Sequence, residues 1–435
     1  MINRWLSSVS TAGKRLLRRT LQDKNGIEAL CAQLYSNKGE ALGIALADEV
    51  ARAYHKLDQP QKAGFFHMLA REYNPDAELI KRCAEEYRDN HSQSAYRALA
   101  RAIESPRQTL FRRINMAPSG TRTVITMRED LLRILPEDEA LIAVDDDLKH
   151  LLSSWFNPGF LKLKAMDWQS PAFILEKLIE YEAVHEMQGW DDLRRRLDAT
   201  DRRCFGFFHP ALPDEPLIFV EVALTPKVSR SVQTILAPHE GEVDQRRLNT
   251  AIFYSINNCQ YGLRGISFGN FLIKQVVMEL KQELPQLQHF ATLSPIPGFM
   301  KWLQRQRSDT DQQVLSGGEL DLLAALDSDD WYHDEASSEA LKPLLMRLCA
   351  HYLVLEKRDT SPLDPVARFH LGNGASVAKL NWLGDTSAKG IEQSAGILVN
   401  YQYDLDEVEE HHEQYFNRGE VAVAPAVRKL LNGKG

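Results

Sequence analysis

Several common sequence features are missing from this chain, and each absence excludes a class of protein. No uninterrupted apolar run approaches the roughly 18 residues that a membrane-spanning helix needs. Positive charge is not in excess, because 52 basic and 60 acidic side chains leave a net charge of −8, so we expect no binding of nucleic acid. Cysteine is sparse, odd in number and without any Cys-x-x-Cys spacing, which argues against a disulfide framework and a structural zinc site. We therefore expect buried thiols at Cys31, Cys83, Cys204, Cys259 and Cys349.

The composition is that of a globular chain with more than one domain. Hydrophobic residues make up 44% and charged residues 26%, and 435 residues exceed the size of an ordinary single domain. Apolar residues recur three and four apart in 40–57, 60–73 and 77–89, which predicts helices. The sequence becomes rich in strands after Asn157-Pro158-Gly159. We predict a helical domain over 1–156 and a mixed α/β domain over 157–435, an α+β multidomain chain.

The second half alternates strands and helices. Its glycine-spaced stretch at Gly262, Gly265 and Gly269 leads directly into a predicted helix over 270–283. Residues 304–340 are polar and acidic, and we expect an excursion from the sheet there, with helix again over the last thirty residues. The predicted strands are 216–225, 251–256, 289–294, 376–383 and 395–403.

The loop Arg264-Gly265-Ile266-Ser267-Phe268-Gly269-Asn270 suits the binding of an anion. Glycines allow close approach of the backbone, and the following helix would direct unpaired N–H groups at a phosphate. The loop has neither G-x-G-x-x-G nor the lysine of a P-loop, so the alternative is a tight strand-to-helix turn. The loop also matches G-x-S-x-G, the nucleophile motif of α/β-hydrolases. Asp364 and His370 follow it in the Ser–Asp–His order of the hydrolase triad. However, a nucleophile elbow begins where its strand ends, and eight residues separate Ile256 from Gly265.

Two further positions carry chemistry. Ser294 closes a predicted strand, and Pro295 and Pro297 restrain the chain behind it. His370 lies in Arg368-Phe369-His370-Leu371-Gly372-Asn373-Gly374, where a lone histidine is more often structural than catalytic. The residues alone permit a pairing of Ser294 with His370 and do not establish it.

Two charged clusters have ordinary explanations. The run Asp145-Asp146-Asp147 is typical of solvated carboxylates at a helix start. His411-His412, among glutamates, is typical of an exposed helix face, and no His-Glu-x-x-His sequence occurs. We therefore expect no metal site.

The second half resembles the malonyl-CoA decarboxylase family. The most specific stretches are LSPIPGF within 290–303 and the FHLxNGA pattern within 368–391. The other matching stretches are 207–225, 251–277 and 396–405. Together they cover most of the second half, and the helical first half agrees with the layout of the family.

This resemblance implies a fold, a reaction and a site. The fold is a helical N-terminal domain that mediates self-association, followed by a catalytic domain like that of the GNAT acyltransferases. The implied reaction converts malonyl-CoA to acetyl-CoA and CO2 without a further cofactor, in a cytoplasmic homo-oligomer (dimer or tetramer). Ser294 and His370 match the catalytic serine and histidine, and residues 264–270 match the loop that binds the coenzyme A pyrophosphate. We also expect supporting roles for the three residues Asn373, Ser255 and Tyr401.

The chemistry of decarboxylation predicts a separate role for His370 and for Ser294. Loss of CO2 leaves an enolate that needs a proton on carbon, and histidine suits that task because its pKa lies near neutrality. We expect His370 to donate this proton and Ser294 to be its partner and proton acceptor. The main alternative is a GNAT-like transferase that moves an acyl group from coenzyme A to an acceptor. A sensor without enzymatic activity is a further alternative.

Residues 1–22 resemble an organellar presequence, although a basic first helix is favoured.

Overall fold

The computed structural model describes residues 26–37, 39–237, 244–266, 268, 272–308, 314–328 and 330–432. The expectation for residues 1–22 therefore lies outside the described residues. The chain divides into two compact units. Unit 1 comprises residues 1–161, 209–213 and 260–268, and unit 2 comprises the remaining segments, 162–208, 214–259 and 269–435.

Unit 1 is helical, as the periodicity predicts. The predicted helices over 40–57, 60–73 and 77–89 are confirmed, with ends that differ by one or two residues. The described helices are α1 (Ile27–Ser36), α2 (Glu40–His55), α3 (Gln59–Glu72), α4 (Ala77–Asp89), α5 (Gln93–Ile103), α6 (Pro106–Ile114), α7 (Gly120–Ile134) and α8 (Ile142–Trp155). Helix α3 shows why the boundaries are predictable. The Asp58 side chain accepts the Gln61 N–H at 2.9 Å, and the Gln61 side chain accepts the Asp58 N–H at 3.0 Å.

Two ion pairs are buried among the helices of unit 1. Asp145 accepts Arg128 Nε at 2.8 Å, and Asp147 accepts Arg107 Nε at the same distance. The two arginines are only 2% and 3% exposed. The expectation of solvated carboxylates was therefore wrong for two of the three aspartates, because each is the counter-charge of a buried guanidinium.

Unit 2 contains a seven-stranded mixed sheet of order β1-β2-β3-β4-β5-β9-β8, and a separate two-stranded sheet pairs β6 with β7. Strands β4 and β5 are parallel, whereas the β3/β4, β5/β9 and β8/β9 pairs are antiparallel. The strands are β1 (Lys162–Met166), β2 (Arg202–His209), β3 (Leu212–Thr225), β4 (Thr250–Asn258), β5 (His289–Thr292), β6 (Lys357–Arg358), β7 (Ser361–Pro362), β8 (Ser376–Asn381) and β9 (Leu398–Gln402). A helical region followed by a mixed sheet with helices confirms the predicted α+β fold class.

Helices accompany this sheet along the described chain. They are α9 (Ala172–Tyr181), α10 (Trp190–Leu197), α11 (Gln233–Leu236), α12 (Leu272–Glu283), α13 (Phe299–Ser308), α14 (Gly317–Leu323), α15 (Glu335–Val354), α16 (Pro365–Gly372), α17 (Ala388–Ser394), α18 (Val408–Arg418) and α19 (Pro425–Leu431). The five strands expected from the sequence are all present, but β1, β2, β6 and β7 were not predicted. The described part of 304–340 contains no strand, in agreement with the expected excursion from the sheet, and it includes the end of α13, all of α14 and the start of α15.

Strand β5 lies between β4 and β9 and loses its pairing with β4 just before Ser294. It pairs with β4 through Thr292, and Leu293 N–H still donates to Phe253 O at 2.9 Å. Ser294 continues the pairing with β9, because it exchanges two backbone hydrogen bonds with Val399, at 2.9 and 3.0 Å. Because Pro295 has no N–H, the strand cannot continue with regular pairing. Ser294 is thus fixed by its backbone at the point where β5 leaves β4.

Helix α16 places His370 in its last turn. The Asp364 side chain caps the helix and accepts the N–H groups of Val366 and Ala367, both at 2.9 Å. The chain leaves the helix through Gly374, whose φ is +82°. A Cβ at that position would lie 2.1 Å from Val408 O, so only glycine fits the turn. Both ends of the histidine-bearing helix are therefore fixed.

All five cysteines are buried free thiols, as expected. Within the part of the chain that the structure describes, no helix is both long and apolar enough to cross a membrane.

Candidate active site

The structure brings together the two residues that the sequence could not pair. Ser294 Oγ and His370 Nε2 lie 3.1 Å apart, although 76 positions separate them in the chain. Both side chains belong to unit 2, and they are only 5% and 2% exposed. A hydroxyl and an imidazole at this distance and burial can exchange a proton with each other or with a bound molecule.

Two tyrosines of the same segment hold the imidazole. Tyr403 hydroxyl lies 2.8 Å from His370 Nδ1, so both ring nitrogens have a partner. Tyr401 stacks on the imidazole, with ring centroids 4.5 Å apart and an interplanar angle of 24°. Tyr401 was an expected supporting residue, and its hydroxyl is buried with no hydrogen-bond partner among the described residues.

Sequence reasoning missed Tyr403. A signal was available, because residues two apart on a strand face the same side of a sheet. Tyr401 and Tyr403 have this spacing within the matching stretch 396–405.

Thr292 also reaches the serine. Ser294 Oγ donates a hydrogen bond to Thr292 Oγ1 at 2.8 Å, and Tyr401 N–H donates to the same oxygen at 3.1 Å. Thr292 was not among the expected site residues. The described side chains thus form one connected row: Tyr403, His370, Ser294 and Thr292.

Burial keeps the histidine neutral. Complete removal from water lowers the pKa of His370 from 6.5 to about 3, and no charged group offsets this effect. Burial also raises the pKa of Tyr401 and of Tyr403 well above 10. The free protein therefore holds an uncharged imidazole between uncharged hydroxyls at neutral pH.

Asn373 is close to His370 in sequence but holds a different element. Its side-chain oxygen accepts the Leu272 N–H at 3.1 Å, and its amide nitrogen donates to Phe369 O at 2.8 Å. These contacts join the first turn of α12 to the end of α16. The Asn373 side chain thus positions a helix start and does not hydrogen-bond the imidazole.

Ser255 belongs to a separate buried cluster. Its hydroxyl donates to Glu182 Oε2 at 2.7 Å, and Asn257 donates to the same oxygen at 2.8 Å. Glu182 also lies 3.9 Å from Arg196, which pairs with Glu221 at 3.0 Å. Within the described residues no hydrogen bond joins Ser255 to Ser294 or His370.

The expected anion loop is described only in part. Arg264, Gly265, Ile266 and Phe268 are described, whereas Ser267, Gly269 and Asn270 lie outside the described residues. Gly265 has φ +76°, a conformation that favours glycine. Ile266 and Phe268 are buried at 6% and 5% exposure, and the exposed Arg264 lies over the ring of Tyr261.

Buried Arg128 fixes the start of this loop within unit 1. Its Nη1 donates to Gly262 O and to Arg264 O, both at 2.8 Å, while its Nε pairs with Asp145. One guanidinium thus connects α8 to two carbonyl groups of the loop segment.

Two alternative constellations do not form among the described residues. Asp364, the third member of a hydrolase triad, caps α16, and the partner of His370 Nδ1 is Tyr403. His411 and His412 contact Glu407 and Gly372 O respectively. The described residues also contain no group of three or more His, Cys, Asp or Glu side chains that could hold a metal ion.

Comparison with known proteins identifies the family. The family model described as the malonyl-CoA decarboxylase C-terminal domain matches residues 159–435, and that of the N-terminal domain matches residues 73–156. The mitochondrial malonyl-CoA decarboxylase of Anser anser anser is 36% identical over 421 residues, covering 88% of this chain and 82% of that protein. The Mus musculus protein of the same name is 39% identical over 347 residues, covering 74% and 70%.

Two solved structures of malonyl-CoA decarboxylases are similar to this chain over nearly its whole length. The crystal structure of malonyl-CoA decarboxylase from Rhodopseudomonas palustris is 49% identical, with a TM-score of 0.90, covering 93% of this chain and 98% of that one. That from Agrobacterium vitis is 47% identical, with a TM-score of 0.88, covering 94% and 100%. The fold is thus that of an enzyme of the carboxy-lyase class. The chain belongs to the malonyl-CoA decarboxylase family, which confirms the resemblance.

The lowered pKa of His370 predicts a pH dependence of stability. The unfolded chain binds a proton at this residue near pH 6.5, whereas the folded chain binds it only near pH 3, so stability rises with pH across this window. Between pH 7 and pH 5 the free energy of unfolding should therefore fall by roughly 2 kcal/mol because of this residue. Urea unfolding of the wild type and of His370→Asn at both pH values measures the difference. Equal losses in the two proteins would show that His370 titrates normally.

Proposed function

We propose that this protein decarboxylates malonyl-CoA to acetyl-CoA and CO2 at the Ser294–His370 pair. The observation that supports the proposal is the buried 3.1 Å contact between these two side chains, in a chain that belongs to the malonyl-CoA decarboxylase family.

The reaction places few demands on the protein. The bond between the carboxylate carbon and the α-carbon breaks, and its electron pair moves into the thioester carbonyl to give an enolate. The thioester is thus its own electron acceptor. The protein must exclude water, hold the substrate and deliver one proton to the α-carbon.

His370 is suited to deliver the proton once substrate is bound. The empty site holds a neutral imidazole because burial lowers its pKa. The malonyl carboxylate would bring a negative charge next to the ring, and an opposite charge raises the pKa of a histidine. His370 then takes a proton from solvent and, after CO2 leaves, donates it to the α-carbon. The overall balance is one proton consumed for each CO2 and acetyl-CoA formed.

Ser294 and Tyr403 hold the imidazole from its two sides. Ser294 is the partner of Nε2 and the proton acceptor within the pair, and its hydroxyl also faces the oxygens of the bound thioester or carboxylate. Tyr403 fixes Nδ1 at 2.8 Å, and the stacked ring of Tyr401 prevents rotation of the imidazole. The ring therefore presents Nε2 to the substrate.

Residues 264–270 are proposed to bind the coenzyme A pyrophosphate. Two observations on described residues support this role. Gly265 has the backbone conformation of a tight loop, and buried Arg128 fixes the carbonyls of Gly262 and Arg264. The N–H groups of Leu263, Arg264 and Ile266 donate to carbonyls within this turn, so we propose that the anion is bound by N–H groups further along the loop, which the fixed segment holds in place.

We also propose self-association through the helical domain. Leu79 on α4 and Tyr96 and Ile103 on α5 are 37%, 52% and 55% exposed, and we propose that a partner subunit covers these side chains of two helices that pack together. The number of subunits and the cytoplasmic location stay predictions. The matched goose and mouse proteins are named as mitochondrial.

Incubation of the purified protein with malonyl-CoA, without an acceptor, tests the reaction directly. We expect acetyl-CoA and CO2 to appear in equal amounts. His370→Gln should lower kcat by about 10²- to 10⁴-fold, the usual contribution of a general acid. His289→Gln is the matched control, because His289 is an exposed histidine at the start of β5, and its kcat should not change.

Other products would contradict the proposal in recognisable ways. Product formation that requires an added amine would indicate an acyltransferase. Free coenzyme A without CO2 would indicate a hydrolase, and intact malonyl-CoA would indicate a sensor. Normal turnover by His370→Gln would exclude the assigned proton donor.

The Arg128 contacts predict a separate effect on substrate binding. Arg128→Met removes the group that holds the loop, so KM for malonyl-CoA should rise by about tenfold while kcat changes little. Arg107→Met is the matched control, because Arg107 is equally buried and paired with Asp147 but has no contact with loop residues 260–268 among its described hydrogen bonds. Steady-state kinetics at a temperature where both variants are folded give the comparison. An equal rise of KM in both variants would indicate general destabilisation.

A further inference from the structure

We infer that Thr292 is a positioning residue that sets the direction of the hydrogen bonds through Ser294 and His370. In this arrangement the proton of the neutral imidazole is on Nε2, the nitrogen that faces Ser294. The inference rests on the proposed function for its catalytic meaning, but its structural content can be tested without substrate.

Thr292 accepts two hydrogen bonds at one oxygen. Ser294 Oγ donates at 2.8 Å and Tyr401 N–H donates at 3.1 Å, and the threonine is fully buried. A hydroxyl oxygen has two lone pairs, so these donors fill its acceptor capacity. Its carbonyl is also fixed, because Asn400 Nδ2 donates to Thr292 O at 2.7 Å. Thr292 is therefore held as an acceptor for the serine.

The direction of the remaining bonds follows from the single proton of each hydroxyl. Because the proton of Ser294 points to Thr292, Ser294 Oγ can only accept from His370 Nε2 across their 3.1 Å contact. Nε2 must then carry the ring proton, and Nδ1 of the neutral ring is an acceptor. Tyr403 O–H donates to it at 2.8 Å. Donation therefore runs one way, from Tyr403 through His370 and Ser294 to Thr292.

This direction matters for the reaction. If the serine donated to Nε2, the histidine would act as a base and the serine as a nucleophile, which is the arrangement of a hydrolase. With Thr292 as the acceptor, Nε2 keeps its proton on the serine side of the ring. The proton that is taken up when substrate binds then goes to Nδ1, where the Tyr403 hydroxyl turns to accept from it, and the resulting imidazolium donates its Nε2 proton as the acid. The threonine thus favours proton delivery over acyl transfer to Ser294, although it does not itself contact the imidazole in any described hydrogen bond.

The test compares two substitutions that differ by one hydroxyl. Thr292→Val keeps the shape of the side chain and removes the acceptor, so the Ser294 proton should turn to Nε2 and the ring proton should move to Nδ1. Thr292→Ser keeps the hydroxyl and is the matched control. The ¹⁵N shifts of the His370 ring in the free proteins report which nitrogen carries the proton. We expect Nε2–H in the wild type and in Thr292→Ser, and Nδ1–H in Thr292→Val.

Kinetics provide the second measurement. Thr292→Val should lower kcat by about ten- to a hundredfold with KM nearly unchanged, and Thr292→Ser should restore kcat. An Nδ1–H tautomer in the wild type, or an unchanged tautomer and kcat in Thr292→Val, would overturn the inference. If the valine variant does not fold, the wild-type tautomer and Thr292→Ala decide by the same criteria. A wild type that shows Nε2–H but releases no CO2 would instead refute the proposed function and leave the tautomer assignment intact.

Discussion

The contact between Ser294 and His370 is the interaction on which the rest of the site depends. It forms because β5 separates from β4 at Ser294 while its pairing with β9 continues, and because the last turn of the capped helix α16 carries His370. The backbone of each residue is therefore fixed by secondary structure before their side chains meet. Such placement on strand and helix ends reduces the reorganisation that a reaction requires.

Burial determines the electrostatics of this site. A histidine in water titrates near neutrality, but the enclosed ring of His370 stays uncharged until a counter-charge arrives. The malonyl carboxylate is such a charge, and it is lost as CO2 during the reaction. The imidazolium would thus be stabilised only while its proton is needed, and the ring would return to its neutral state once acetyl-CoA has formed. No permanent acid beside the ring is required for this cycle.

A side chain of the helical unit holds the start of the loop proposed to bind coenzyme A. Arg128, Asp145 and the carbonyls of Gly262 and Arg264 form one buried group within unit 1. Its cost of desolvation is offset by the hydrogen bonds that the guanidinium makes to Asp145, Gly262 O and Arg264 O. Asp145, which the sequence suggests to be a surface carboxylate, therefore helps to hold the loop through its pairing with Arg128.

Local patterns predicted much of the fold. Helices α2, α3 and α4 follow from apolar periodicity and capping residues, and β3 follows from its long apolar run. Strand β1 was missed because its sequence, Lys162–Met166, is short and largely exposed, which leaves no clear alternation. Short strands of this kind are fixed by pairing with a neighbour and not by their own residues.

The site was predictable only in part. Ser294 and His370 were singled out individually, but their contact spans 76 positions and no local pattern encodes it. Asn373 was expected to have a supporting role, and the structure shows that its side chain accepts the Leu272 N–H, a contact 101 positions apart that no local pattern encodes. Thr292 was missed because its role depends on where Ser294 points, which is a property of the folded sheet.

Proton uptake on substrate binding tests the central claim most directly. Titration calorimetry with a malonyl-CoA analogue that cannot lose CO2, repeated at pH 7 in buffers of different ionisation enthalpy, measures the protons taken up. We expect about one proton per bound analogue for the wild type and close to none for His370→Gln. Binding without proton uptake by the wild type would contradict the account, because His370 would then stay neutral beside the carboxylate and would not serve as the acid.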